Sequence, residues 1–212
     1  LLNILPKTIV ARLKEEKEVN ESYEAVTVLF SDLVGFTELS AGISAGALVT
    51  LLNQIFSLFD GLTVSHGLEK IKTIGDAYMV VAGLPVPSED HALAMAEMAL
   101  AMRNAIEEFN RKQGMRLALR IGIHSGPVVA GIIGTSKFSY DLWGDTVNTA
   151  SRMESHGLPG KIHLSESTCR LLGDRYLFEK RGLIAVKGKG EMKTYFLEDK
   201  LKEGRHEAPV MG

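Results

Sequence analysis

The chain has a single cysteine, Cys169. It can close no internal disulfide, and without a partner cysteine a structural zinc site is equally excluded. A reducing compartment is the expectation. Excess charge is lacking too: 24 basic against 26 acidic residues give a net charge of -2 and a pI near 6.3. No global positive field exists for nucleic acid or an anionic membrane surface, so any phosphate binding must be local. No unbroken apolar run approaches the roughly 20 residues that span a bilayer. The start, Leu1-Leu2-Asn3, has no basic segment ahead of a signal-type core. Repeats and low-complexity tracts are missing. What remains is 212 residues at 45% hydrophobic and 24% charged, the composition of an ordinary soluble domain with one sizeable core. The absence of an initiator Met reads as a piece of a longer protein, with a regulatory region or membrane anchor upstream.

Residues 1–22 read as an amphipathic connector, helical after Pro6 and outside the core, and residues 201–212 as a polar, frayed tail. The folded domain is assigned to 23–200. Ala25–Phe30 is a buried strand by its β-branched and apolar content. Ser44 caps a helix with a stripe of Leu48, Leu52, Ile55, Phe59 and Leu62. Leu68–Thr73 and Ala77–Ala82 are strands around a Gly75-Asp76 hairpin. Ser88 caps a second helix with Ala92, Met95, Ala99, Met102, Ile106 and Phe109 inward, and Leu117–His124 is the next strand. The order is that of a ferredoxin-like βαββαβ sandwich, an α+β fold with helices on one face of an antiparallel sheet. Asp145–Glu154 adds a helix, Lys161–Leu164 a short strand, and Tyr176–Val186 with Met192–Leu197 a terminal hairpin.

Chemistry concentrates at a few positions. Asp32 follows the first strand and on its own reads more readily as a turn cap than as a metal ligand. Asp76 sits at the hairpin tip, and in a ferredoxin-like sheet the first strand lies beside the third, so the two carboxylates can converge. Such a pair repels unless a hard cation neutralises it, the arrangement used for Mg²⁺ with substrate phosphates. Asn148 and Arg152, four apart on a predicted helix, project from one face.

The segments Phe30-Ser31-Asp32-Leu33-Val34-Gly35-Phe36-Thr37, Lys72-Thr73-Ile74-Gly75-Asp76-Ala77-Tyr78-Met79, Arg120-Ile121-Gly122-Ile123-His124-Ser125-Gly126 and Trp143-Gly144-Asp145-Thr146-Val147-Asn148-Thr149-Ala150-Ser151-Arg152-Met153 resemble the signatures of class III adenylate and guanylate cyclases. The resemblance runs from about Glu24 to Leu197. It implies that Asp32 and Asp76, with the Leu33 carbonyl, bind two divalent metal ions, Mg²⁺ or Mn²⁺. It further implies that Arg120 meets the phosphates, that the amides around Phe36 and Thr37 hold the triphosphate, and that Lys187 touches its outer part. Asn148 would orient the ribose and Arg152 stabilise charge at the α-phosphate. Lys72 and Asp141 stand where guanylate cyclases usually carry Glu and Cys, and with Leu142 they make up the base-binding set. Adenine N1 accepts and its N6 amino group donates, which suits an ammonium and a carboxylate.

The function implied is an adenylate cyclase acting on ATP at the interface of a head-to-tail homodimer with two shared sites. Asp32, Asp76 and Arg120 would come from one subunit, and Lys72, Asp141, Asn148, Arg152 and Lys187 from the other. A cytoplasmic catalytic domain is implied, with no nucleic-acid partner. Guanylate cyclase activity, a silent regulatory module, and an RNA-binding ferredoxin-like domain are the rivals. Lys72 and Asp141 oppose the first, the complete metal and transition-state set the second, and the acidic Asp32 and Asp76 the third.

Overall fold

The alternation around Val26 extends well past the apolar run, so β1 spans Asn20–Val34. Val26, Val28 and Phe30 point to one side, Thr27, Leu29 and Ser31 to the other, and all six are buried, as in a strand covered on both faces. Asp32 therefore lies inside β1 rather than on a turn after it, directly opposite Arg120 of the neighbouring strand. The computed structural model describes residues 5–6, 9–11, 20–134 and 138–201.

After Gly35, whose φ of 79° suits a residue without Cβ, comes α1 (Phe36–Gly42). The next helix, α2 (Ala45–Ser65), is capped as expected by Ser44, whose side chain accepts from the Ala47 amide at 3.3 Å. Its buried face is Leu51, Ile55, Phe59 and Thr63, one position round from the expected stripe, so Leu48, Leu52 and Leu62 are only half-buried. By length and mean hydropathy, 1.5, α2 could cross a membrane, but here that face packs on the sheet. β2 (Glu69–Ile74) and β3 (Ala77–Ala82) form the expected hairpin, with Gly75 at φ 61°. The helix α3 (His91–Gln113) starts later than Ser88, whose hydroxyl accepts from the Asp90 amide at 3.2 Å and so caps the turn ahead of the helix. Its methionines, Met95, Met98 and Met102, are wholly buried.

β4 (Ala118–Ile133) is twice the length foreseen, and it turns back as β5 (Ser139–Trp143), a strand the sequence did not reveal. The chain continues through α4 (Asp145–Ser155), β6 (Ile162–Ser165), α5 (Glu166–Leu172), β7 (Tyr176–Val186) and β8 (Gly190–Lys200). The sheet order is β2-β3-β1-β4-β6-β8-β7, with β5 added to β4. The first four strands have the ferredoxin-like order; among the described residues only the β4–β6 pairing is parallel.

Two cores result. One joins α2 and α3 to Leu29, Tyr78, Val80 and Ile121. The other lies on the opposite face, where Val28, Phe30, Met79, Val128 and Tyr140 meet Ala150 of α4, so helices cover both faces and not one. Leu5, Ile9 and Val10 are buried in this second core. Those residues of the expected connector thus belong to the domain; 1–4, 7–8 and 12–19, with 202–212 of the tail, lie outside the described residues.

The approach of α4 to β4 depends on glycine. A Cβ on Gly122 would sit 1.8 Å from the Glu154 nitrogen, and one on Gly126 would sit 2.6 Å from Thr146 Oγ1. Helix and strand are in backbone contact. Gly122→Ala is expected to push α4 outward and lower Tm by roughly 5–10 °C, on an overpacking cost of about 1–3 kcal/mol. Gly61→Ala, an exposed helical position with open space around it, should instead stabilise by about 0.5–1 kcal/mol. Thermal melts of the two variants check both signs.

Candidate active site

The β1–β4 ladder sets Asp32 against Arg120, and the Arg120 guanidinium donates from Nη2 to Asp32 Oδ2 at 3.0 Å. The β2–β3 turn brings Asp76 within hydrogen-bonding reach of Asp32. A third carboxylate stands beside them. Arg120 Nε donates to Glu154 Oε1 of α4 at 2.6 Å. Three carboxylates against one guanidinium leave an excess of negative charge. Burial, then Asp76 and Glu154, push the Asp32 carboxyl up to about 6 despite Arg120. A site that resists the second negative charge is one that a cation would relieve.

This donor set fits a hard divalent ion. Among the described residues no group of three or more His, Cys, Asp or Glu has metal-ligand geometry. Mg²⁺ needs only one or two carboxylates when substrate phosphates supply other ligands. Asp32 and Asp76 could supply two such carboxylates, with the Leu33 carbonyl next along β1; Arg120 bonds both Asp32 and Glu154.

A second cluster forms at Lys72 and Asp141. Lys72 of β2 and Asp141 of β5 make a direct ion pair. Asp141 Oδ1 also accepts from the Leu142 amide at 2.8 Å. The Leu142 side chain is buried in the second core, so only its backbone lies at this cluster. The pair offers a cation and an anion side by side at a half-open surface.

The third cluster is on the outer side of α4. Asn148 is exposed. Arg152 donates to the Lys187 carbonyl in the β7–β8 turn, and Lys189 of that turn pairs with Asp145. The turn is thereby fastened to α4, with the Lys187 side chain exposed. Phe36 and Thr37 open α1, at the end of β1 that carries Asp32. No hydrogen bond or ion pair links the three clusters among the described residues.

His124 is a packed residue. Its Nδ1 bonds Ser165 Oγ at 2.7 Å, and burial lowers its pKa to about 4, so it is neutral at pH 7. Glu154 is the charged neighbour the sequence reading missed. It follows the Asn148–Arg152 motif immediately but projects from the other side of α4, and nothing in the spacing ties it to Arg120, 34 residues away.

The family described as the adenylate and guanylate cyclase catalytic domain matches residues 18–199. Over 222 residues, all of this chain and 32% of the relative, the sequence is 48% identical to rat (Rattus norvegicus) guanylate cyclase soluble subunit beta-2. Over 199 residues, 93% of this chain and 45% of the relative, it is 45% identical to an adenylate cyclase of Mycobacterium tuberculosis. The guanylate cyclase domain of RhGC from Catenaria anguillulae, solved with GTP, superposes with a TM-score of 0.82 at 40% identity, covering 85% of this chain and 100% of that one. The chain spans a third to under half of the two curated relatives' length.

Proposed function

The chain belongs to the adenylate and guanylate cyclase catalytic-domain family, and from that premise we propose that it is an adenylate cyclase, a lyase converting ATP to 3′,5′-cyclic AMP and pyrophosphate. Overall identity does not choose the base, since relatives of both kinds are similarly close. The Lys72–Asp141 pair carries the choice. An ammonium can donate to adenine N1 while a carboxylate accepts from the N6 amino group. Guanine offers a donor and an acceptor at the corresponding places and would leave both groups unpaired.

In this reading Asp32, Asp76 and the Leu33 carbonyl hold two divalent ions, Mg²⁺ or Mn²⁺. Such ions, when bound, make the ribose 3′-hydroxyl more acidic and neutralise triphosphate charge. The other residues position and stabilise. Asn148 orients the ribose for in-line approach to the α-phosphorus, and Arg152 faces the charge that develops there. Arg120, Lys187 and the amides of Phe36 and Thr37 take the pyrophosphate portion. No covalent intermediate with the enzyme is needed.

A head-to-tail homodimer would join the first cluster of one subunit to the other two clusters of its partner, giving two sites per dimer. Support comes from the exposed apolar residues Ile74, Val129, Ile133 and Trp143. Purified protein with ATP, GTP and Mn²⁺ tests both parts. Cyclic AMP should dominate, and in the dilute limit doubling the protein should raise the rate about fourfold. A rate that stays linear at concentrations where the protein is shown to be monomeric would rule out the shared site, and cyclic GMP from GTP as the main product would rule out the base assignment. A cytoplasmic location, suggested by the lone cysteine, and control by an upstream region belong to the same proposal. Because Leu5, Ile9 and Val10 pack in the second core, that control has a physical route into the domain.

A further inference from the structure

We propose that Glu154 is a positioning residue that holds the Arg120 guanidinium at the angle needed to take the nucleotide's phosphates; this rests on the reading that Arg120 meets those phosphates. The geometry divides the guanidinium into committed and available edges. Nε is fixed on Glu154 Oε1 at 2.6 Å, Nη2 reaches Asp32 at 3.0 Å, and Nη1 has no hydrogen bond in the described structure. The carboxylate is the deeper partner, its side chain 13% exposed against 31% for Arg120. Glu154 is thus the anchor and the guanidinium the part that faces outward.

The anchor itself is rigid. Gly122 admits the Glu154 backbone against β4 with no space for a methyl group. A Cβ on Gly157 would sit 2.8 Å from the Glu154 carbonyl and 2.9 Å from Arg120 Cγ. The Gly157 amide also donates to the Glu154 carbonyl at 2.7 Å. Glu154 and the Arg120 stem are therefore held in one fixed relation by backbone contacts, as a support for a phosphate-binding arginine must be. Asp32 is the competing partner. Without Glu154 the guanidinium keeps only its bond to Asp32 and swings onto the carboxylate that the cations require, so phosphate binding loses its donor fork.

Glu154→Gln preserves size and removes the charge. It is expected to raise KM for ATP about tenfold and to weaken inhibition by pyrophosphate by a similar factor, with kcat changed less than about threefold. Glu154→Asp, which keeps the charge on a shorter stem, should recover part of both losses. In an Arg120→Ala background, Glu154→Gln should add no further effect, because the two act as one unit. A purely structural role would lower Tm and leave the pyrophosphate constant alone. Unchanged KM and pyrophosphate inhibition in Glu154→Gln, or a full additive loss in the double variant, overturns the proposal. If Arg120→Ala alone leaves pyrophosphate inhibition intact, the phosphate role of Arg120 falls first and the proposal with it.

Discussion

Replacing Asp32 with asparagine is expected to cut cyclic nucleotide formation by about three orders of magnitude or more, while the metal-free protein becomes no less stable. The loss follows from charge. Losing a main cation ligand forfeits several kcal/mol of transition-state stabilisation, and each 1.36 kcal/mol is about tenfold in rate. Stability goes the other way. The Asp32 carboxyl titrates at about 6 in the folded chain against about 3.9 when unfolded. A value raised on folding means that Asp32's contribution is fullest below about pH 4 and is lost as pH rises through about 6. At pH 7 the ionised Asp32 thus works against the metal-free fold, and asparagine relieves the repulsion from Asp76 and Glu154. A melt without divalent ions at pH 7, beside a cyclase assay with Mn²⁺, measures both. Activity within about tenfold of the parent would remove Asp32 from the metal-binding role, and a clear drop in Tm would show that its negative charge supports the fold.

The second large effect concerns the base. The double variant Lys72→Glu with Asp141→Cys is expected to shift the ratio of kcat/KM for ATP over GTP by about a thousandfold or more toward GTP. A polar group left unpaired costs about 1–3 kcal/mol, and sites built on base hydrogen bonds discriminate accordingly. The single variants should not each supply half. Lys72 and Asp141 are in direct contact, so Lys72→Glu alone sets two carboxylates against each other and should depress turnover of both nucleotides. Non-additivity is thus part of the expected result. Steady-state kinetics of the four proteins with both nucleotides measure it. A double variant that still prefers ATP would mean that the base is read elsewhere.

Much of this was legible in the sequence because the signals are local. The β2–β3 hairpin followed from Gly75-Asp76, the α2 cap from Ser44, and the α3 core stripe from its apolar spacing. β5 was not legible. It is five residues long, and its preference for strand comes from pairing with the far half of β4, whose Gly126-Pro127 reads locally as a break. The same pairing delivers Asp141 to Lys72, across 69 residues, which no spacing rule anticipates. The lead-in misled for a related reason: its apolar residues looked like the face of a free amphipathic helix, and only their packing beside α4 in the second core buries Leu5 and Ile9. Asp32 was assigned to a turn because the strand signal weakens at Ser31, where ladder pairing to β4 keeps the chain extended. The side chains of the candidate clusters could be named from motifs, and the resemblance already set Asp32, Asp76 and Arg120 apart from Lys72, Asp141, Asn148, Arg152 and Lys187. That Lys72 pairs with Asp141, and that Glu154 joins Arg120, came from packing.

The distances along the chain within each cluster bear on synthesis. Asp32 waits for Arg120, 88 residues later, Lys72 for Asp141, and Arg152 for Lys187, a further 35. Contacts of such separation form late, after the loops between them have closed. A nascent chain emerging from the ribosome can fold its first hairpin and helices well before any of these clusters is complete. A chain released before its final hairpin lacks the Arg152–Lys187 contact, and under the proposed function it would make no second messenger until that hairpin has closed over α4.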